Sequence, residues 1–206
     1  MDQRLVAWGR AVKARRRAAA PPLWLFTDPH RMGDVLAVAR ALPKGLCGIV
    51  FRHDGAPDRA ALGRALASIC RTRRNLLTVA GDWRLAVSLG AGVHIRMSRR
   101  ERARKCHRIV TASAHGATEA ARAARTGAAL VFISPVFATA THLGAAPLGV
   151  VKFLLISRHC GVACLALGGV TGISARRLPR RVCAGAGAIG AFDPPTHGRV
   201  VRVTPL

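Results

Sequence analysis

The stretch ALVFISPVFATATHLGAAPLG, residues 129–149, decides how this chain folds. It opens with a continuous apolar run, Ala129–Phe137, rich in β-branched and aromatic residues. Such a run suits a strand covered on both faces, because a half-exposed strand would alternate apolar and polar positions. Small and polar residues follow, with Thr139, Thr141 and His142 among glycine and proline breaks, before helical spacing resumes over Gly149–Cys160. The unit reads as strand, long polar loop, helix: one step of a parallel sheet whose loop lies at the carboxyl end of a buried strand.

The same beat recurs on both sides of it. Strand-like runs are Leu23–Asp28, Gly48–His53, Leu76–Asp82, Gly92–Ile95, Arg108–His115, Ala163–Val170 and Gly185–Phe192. Helical spacing occupies Met32–Leu42, Asp58–Thr72, Trp83–Leu89, Arg99–Cys106, Thr118–Thr126 and Ile173–Val182 between them. A doubly wound open sheet shares this alternation. Eight steps of about 25 residues without a linker favour an α/β protein of the (β/α)8 TIM-barrel class. The barrel is expected over residues 23–206. Residues 1–22 form a basic N-terminal helix or arm that ends at Pro21 and Pro22, with Leu5, Val6, Trp8 and Val12 partly aligned. That segment reads as a packing helix before the first strand, or as an arm for an acidic partner.

Half of the 206 residues are hydrophobic, ample for one core. The net charge of +24 comes almost wholly from arginine, and such a field attracts phosphates, nucleic acid or anionic lipid. Aromatic residues make up only 4% and no nucleic-acid motif occurs, which argues against base stacking on nucleic acid. No apolar run reaches the ~18 residues of a membrane helix, and the N-terminus lacks a signal-peptide core, so a cytoplasmic protein is expected. The six cysteines, Cys47, Cys70, Cys106, Cys160, Cys164 and Cys183, show no CxxC pair and read as buried thiols in a reducing compartment. The sequence leaves a homo-oligomer open.

Barrel sites form where strands end. There the sequence places Asp28, Arg52, Asp82, His94, Ser113, His115 and the loop from Ser134 through His142. Asp28 and Asp82 have a second reading as helix caps, and His94 as a satisfied interior histidine. The runs LALGGV (165–170) and AGAGAIGAF (184–192) put glycine-rich loops after the last two strands, where barrels bind phosphate through bare backbone N–H groups. Arg52 carries a guanidinium fork suited to a bidentate phosphate contact.

Taken in order, LWLFTD, GIVFRH, AGD, GVHI, TASAH, FISPVFATATHLGAAPLG, ALGGV and AGAGAIGAF resemble the thiamine phosphate synthase/TenI family over residues 23–192. The resemblance implies a (β/α)8 barrel and a transferase of thiamine biosynthesis. Such an enzyme joins hydroxymethylpyrimidine pyrophosphate to a thiazole phosphate with release of pyrophosphate. It further implies Arg52 and Ser113 at the pyrophosphate, Thr139 and Thr141 in the substrate loop, and His142 where the family carries a lysine. Gly168, Gly169, Gly187, Ala188, Ile189 and Gly190 are implied as the cradle of the thiazole phosphate. Mg2+ assists in the family. Here Asp82 is the one acidic metal-site residue kept, and Arg99 stands near the other, a poor setting for a divalent cation. The alternatives are a binding protein for thiazole phosphate or thiamine phosphate, and a TenI-like thiazole tautomerase. The tautomerase histidine position holds Pro135.

Overall fold

The computed structural model describes residues 1–16, 20–96, 108–139 and 146–192. Eight strands pair in parallel into a closed barrel in chain order. They are β1 (Leu23–Phe26), β2 (Cys47–Phe51), β3 (Leu76–Ala80), β4 (Gly92–Arg96), β5 (Val110–Ala114), β6 (Leu130–Ile133), β7 (Ala163–Ala166) and β8 (Gly185–Ala188). Leu23 pairs with Cys47 on one side and Ala186 on the other, which closes the ring and leaves no sheet edge. The (β/α)8 expectation is met. The strands are shorter than the apolar runs because each run continues past the last ladder pair into a loop at the barrel mouth.

Alternation along β1 shows how the sequence fills the barrel. Trp24 and Phe26 point inward to a cluster with Val50, Ala80, Leu130, Phe132 and Leu165. Leu23 and Leu25 point outward to the helices. Trp24 and Phe26 each meet Phe132 edge-on, with centroids 5.5 and 4.8 Å apart. The neighbours β2 and β8 make room with glycine: a Cβ on Gly48 would strike the Trp24 ring, and one on Gly187 would lie 2.7 Å from Phe26 Cε2.

Among the described residues six α-helices surround the barrel. They are α1 (Gln3–Arg16), α2 (Val35–Ala41), α3 (Arg59–Arg73), α4 (Trp83–Ser88), α5 (Ala117–Arg125) and α6 (Gly149–His159). The expected helix at Ile173–Val182 is instead a short 3-10 turn, Ser174–Arg177. Pro179 lies inside the expected span and forces the preceding Leu178 into extended backbone. The stretch expected to be helical at Arg99–Cys106 lies outside the described residues. The N-terminal segment is a packing helix: Leu5, Val6, Trp8, Gly9 and Val12 are buried. Asp2 caps it, accepting from Arg4 N at 2.9 Å and Leu5 N at 3.2 Å. The same carboxylate accepts from Gly172 N, and Asp2 N donates to Ala191 O, so α1 is tied to the loops after β7 and β8.

Cys47, Cys70, Cys160, Cys164 and Cys183 are buried free thiols, as expected for small apolar residues. Burial pushes Cys47, Cys70 and Cys164 up to about 12. Cys106 lies outside the described residues. No helix among the described residues is long and apolar enough to cross a membrane.

Candidate active site at the barrel mouth

A cavity of about 280 Å3 opens where the strands end. One wall is Arg52 and Arg31, from the loops after β2 and β1. The other is Ser134 and Thr139 after β6, Gly168 to Thr171 after β7, and Ala188 to Ala191 after β8. Phe26 forms the floor. The structure therefore brings together Arg52, Thr139, Gly168, Gly169, Ala188, Ile189 and Gly190 of the residues expected from sequence.

Glycine at 168 and 169 has a steric cause. Both have positive φ, 85° and 63°. A Cβ on Gly168 would lie 2.8 Å from Pro135 Cα, and one on Gly169 would strike the Ala138 carbonyl oxygen. Val136 N and Phe137 N donate to Leu167 O and Gly168 O at 2.9 and 3.1 Å, which docks the β6 loop on the β7 loop. Only bare backbone allows that approach.

Arg52 is oriented before any ligand arrives. Its Nε donates to Thr27 O at 2.9 Å, its backbone N donates to Thr27 Oγ1 at 2.9 Å, and its guanidinium lies 5.4 Å from the Phe26 centroid. Asp28 sits 3.7 Å from its Nη2. Burial lowers the Arg52 pKa from its ordinary value, Arg96 and Arg31 lower it further, and Asp28 and Asp54 oppose them. Arg52 is thus a partly desolvated cation in a positive field, a setting an entering polyanion would relieve.

Other expected residues stand elsewhere. Ser113 lies in the barrel interior, its Oγ 2.9 Å from His94 Nε2, while His94 Nδ1 is 2.9 Å from Thr111 Oγ1. His94 is the satisfied interior histidine. Burial, with Arg52 and Arg96 beside it, pushes its pKa down to about 3, so the ring is neutral at ordinary pH. Gly187 belongs to the barrel wall against Phe26. Asp82 caps α4, accepting from Leu85 N at 2.9 Å, and pairs with Arg59 at 3.5 Å. It lines a separate depression with Trp83 and Arg84. Thr141 and His142 lie outside the described residues. The strand-end survey reached Ser134 at the start of the β6 loop but missed Arg31, which stands three residues past Asp28.

A family model described as thiamine monophosphate synthase matches residues 23–192, the whole barrel. The chain belongs to this family. A thiamine-phosphate synthase of Gloeobacter violaceus is 36% identical over 154 residues, covering 71% of this chain and 44% of that protein. The chain thus spans less than half the length of that relative. A thiamine-phosphate synthase of Geobacillus kaustophilus is 29% identical over 171 residues, covering 77% of this chain and 76% of that one. Among solved structures, a thiamine phosphate pyrophosphorylase from Pyrococcus furiosus superposes with a TM-score of 0.70 at 25% identity, covering 82% of this chain and 85% of that one.

Mg2+ chemistry in thiamine monophosphate synthases would need carboxylates free to coordinate it. Among the described residues the carboxylates do not fit. Asp54 is bound on both oxygens by arginine, Arg59 at 3.1 Å and Arg96. Asp82 is committed as described, and Asp28 accepts from His30 N at 3.0 Å. Among the described residues no group of three or more His, Cys, Asp or Glu side chains could hold a metal ion.

Proposed function

We propose that this chain is a thiamine phosphate synthase acting on hydroxymethylpyrimidine pyrophosphate and a thiazole phosphate. One observation carries the reading: the family's phosphate elements from opposite sides of the barrel, Arg52 and the Gly168–Gly169 turn, line one cavity. The bond between the pyrimidine methylene carbon and the diphosphate oxygen breaks, and its electron pair leaves on oxygen. The thiazole nitrogen lone pair then forms the new C–N bond. Little covalent work falls to the protein. It orients two substrates and stabilises charge gathering on the leaving group.

In this reading the glycine turn after β7 and Ala188, Ile189 and Gly190 after β8 seat the thiazole phosphate. Arg52 takes the diphosphate, and Thr139 lies between them on the β6 loop. Ser113 is held by His94 close to the barrel axis, where the pyrimidine would enter. The test is direct: the protein is incubated with both substrates, and thiamine phosphate is followed by chromatography with mass detection. Product formation that falls at least tenfold in Arg52→Ala is expected. No product, while both substrates bind by calorimetry, would make the chain a binding protein instead.

A further inference from the structure

We propose that the diphosphate leaving group is neutralised here by guanidinium groups in place of a divalent cation. Arg52 and Arg31 face the cavity, while Arg59 and Arg96 cancel the carboxylates beside it. The inference rests on the synthase reading and concerns the charge that assists it.

The argument starts from the carboxylates. Asp28, Asp54 and Asp82 follow β1, β2 and β3, on the side of the mouth that carries Arg52. Each oxygen is turned to a donor or cation. Asp54 Oδ1 meets Arg59 at 3.1 Å and its Oδ2 meets Arg96. Asp82 Oδ1 accepts from Leu85 N at 2.9 Å and its Oδ2 meets Arg59 at 3.5 Å. Asp28 Oδ1 accepts from His30 N at 3.0 Å, and its Oδ2 lies 3.7 Å from Arg52. A small hard cation asks for near-octahedral oxygen ligands and would have to expel a guanidinium to reach them. It would also enter a region already holding several arginines.

Arg59 is fixed in that role. Its Nη2 donates to Ala80 O at 2.8 Å and its guanidinium lies 5.8 Å from the Phe51 centroid, so it bridges Asp54 and Asp82 from a rigid seat. Arg52 is equally fixed by Thr27 and Phe26. A planar fork held in place suits phosphate oxygens, and it supplies charge without coordination. When the C–O bond breaks, the electron pair passes to the departing oxygen. Guanidinium N–H groups meet the increased charge, and no proton is required.

Inorganic diphosphate titrated calorimetrically into the full chain tests this, once with EDTA and once with Mg2+. Binding in EDTA is expected, with Mg2+ giving no tightening. Arg52→Ala should weaken binding ~10–100-fold, the scale of a lost charge-assisted bidentate contact. Should that variant fail to fold, Arg52→Lys keeps the charge, loses the fork and should still weaken binding. Asp82→Asn, which keeps the helix cap, should change affinity by no more than about twofold. Binding that requires Mg2+, a loss in Asp82→Asn, or indifference to both Arg52 variants would overturn the proposal. The product assay separates the two ideas. Product that forms only with Mg2+ upholds the synthase and overturns the arginine role. Metal-free diphosphate binding without product does the reverse.

Discussion

Between β6 and β8 the barrel mouth is lined by backbone; between β1 and β4 it is lined by arginine. In the first region Gly168 and Gly169 admit close backbone approach, and the described side chains lining the cavity there are uncharged. In the second, Arg52, Arg59 and Arg96 interleave with Asp28, Asp54 and Asp82. The two regions solve one problem differently. A phosphate monoester can be held by peptide dipoles if sterics permit, whereas a leaving diphosphate gains charge during reaction and calls for full cations. The first region should therefore fail through shape, and the second through charge.

Gly169→Ala attacks shape without adding charge and should have the largest effect. The residue's φ is 63°, and a Cβ would strike Ala138 O with Phe137 Cβ 2.8 Å away. Strain and overpacking together suggest about 3 kcal/mol of lost stability. For a chain of this size that is a fall of roughly 6–12 °C in Tm. Thiazole phosphate binding heat should vanish in calorimetry, with diphosphate binding reduced far less. A variant that melts normally and still binds thiazole phosphate would show that the cradle lies elsewhere.

A smaller effect, about 2 kcal/mol, should appear in acid, and it probes the charged region. His94 is fully buried and its pKa is pushed down to about 3, chiefly by burial and then by Arg52 and Arg96. The unfolded chain takes up the proton near pH 6.5 while the folded chain refuses it. His94 therefore contributes stability above pH 6.5, and this is lost progressively as pH falls toward 3. Between pH 7 and pH 5 the loss is ~2 kcal/mol for this one group. Burial lowers the His53 pKa too, so it acts in the same direction. Urea unfolding at both pH values reads the loss, and His94→Gln should flatten it. An equally steep fall in the variant would assign the acid sensitivity to other groups.

The sequence made the barrel legible because a closed parallel sheet buries both faces of every strand. Runs such as LWLF and CGIVF therefore needed no alternation to be read. The glycine turn was legible too, since glycine pairs after a strand have a steric meaning of their own. What escaped was whatever depends on partners distant in sequence. Asp82, read from sequence either as a weak metal-site residue or as a helix cap, is the cap, and its partner Arg59 lies 23 positions upstream in the chain. Gly187 belonged to the same glycine-rich run as Gly190, yet one faces the Phe26 ring and the other the cavity. Gly187 lies inside β8, whereas Gly190 lies past its end in a 3-10 turn, and the continuous run of small residues hides where the strand stops. The helix expected at Ile173–Val182 failed for a local reason that Pro179 already announced.

The N-terminal helix supplies the finest test of how separate the two regions are. Asp2 caps α1 and holds Gly172 N, and its own N–H donates to Ala191 O, next to the loops proposed as the phosphate cradle. Arg52 is held instead by Thr27 and Phe26. Asp2→Ala should then cost about 1 kcal/mol, the usual loss of a helix cap, and lower Tm by about 2–4 °C. Loss of the bond to Gly172 should loosen the β7 loop and weaken thiazole phosphate severalfold, leaving diphosphate affinity unchanged. Calorimetry with each ligand reads the split. If both affinities fell together, the mouth would be a single mechanical unit, and the division between a shape-selected half and a charge-selected half would fail with it.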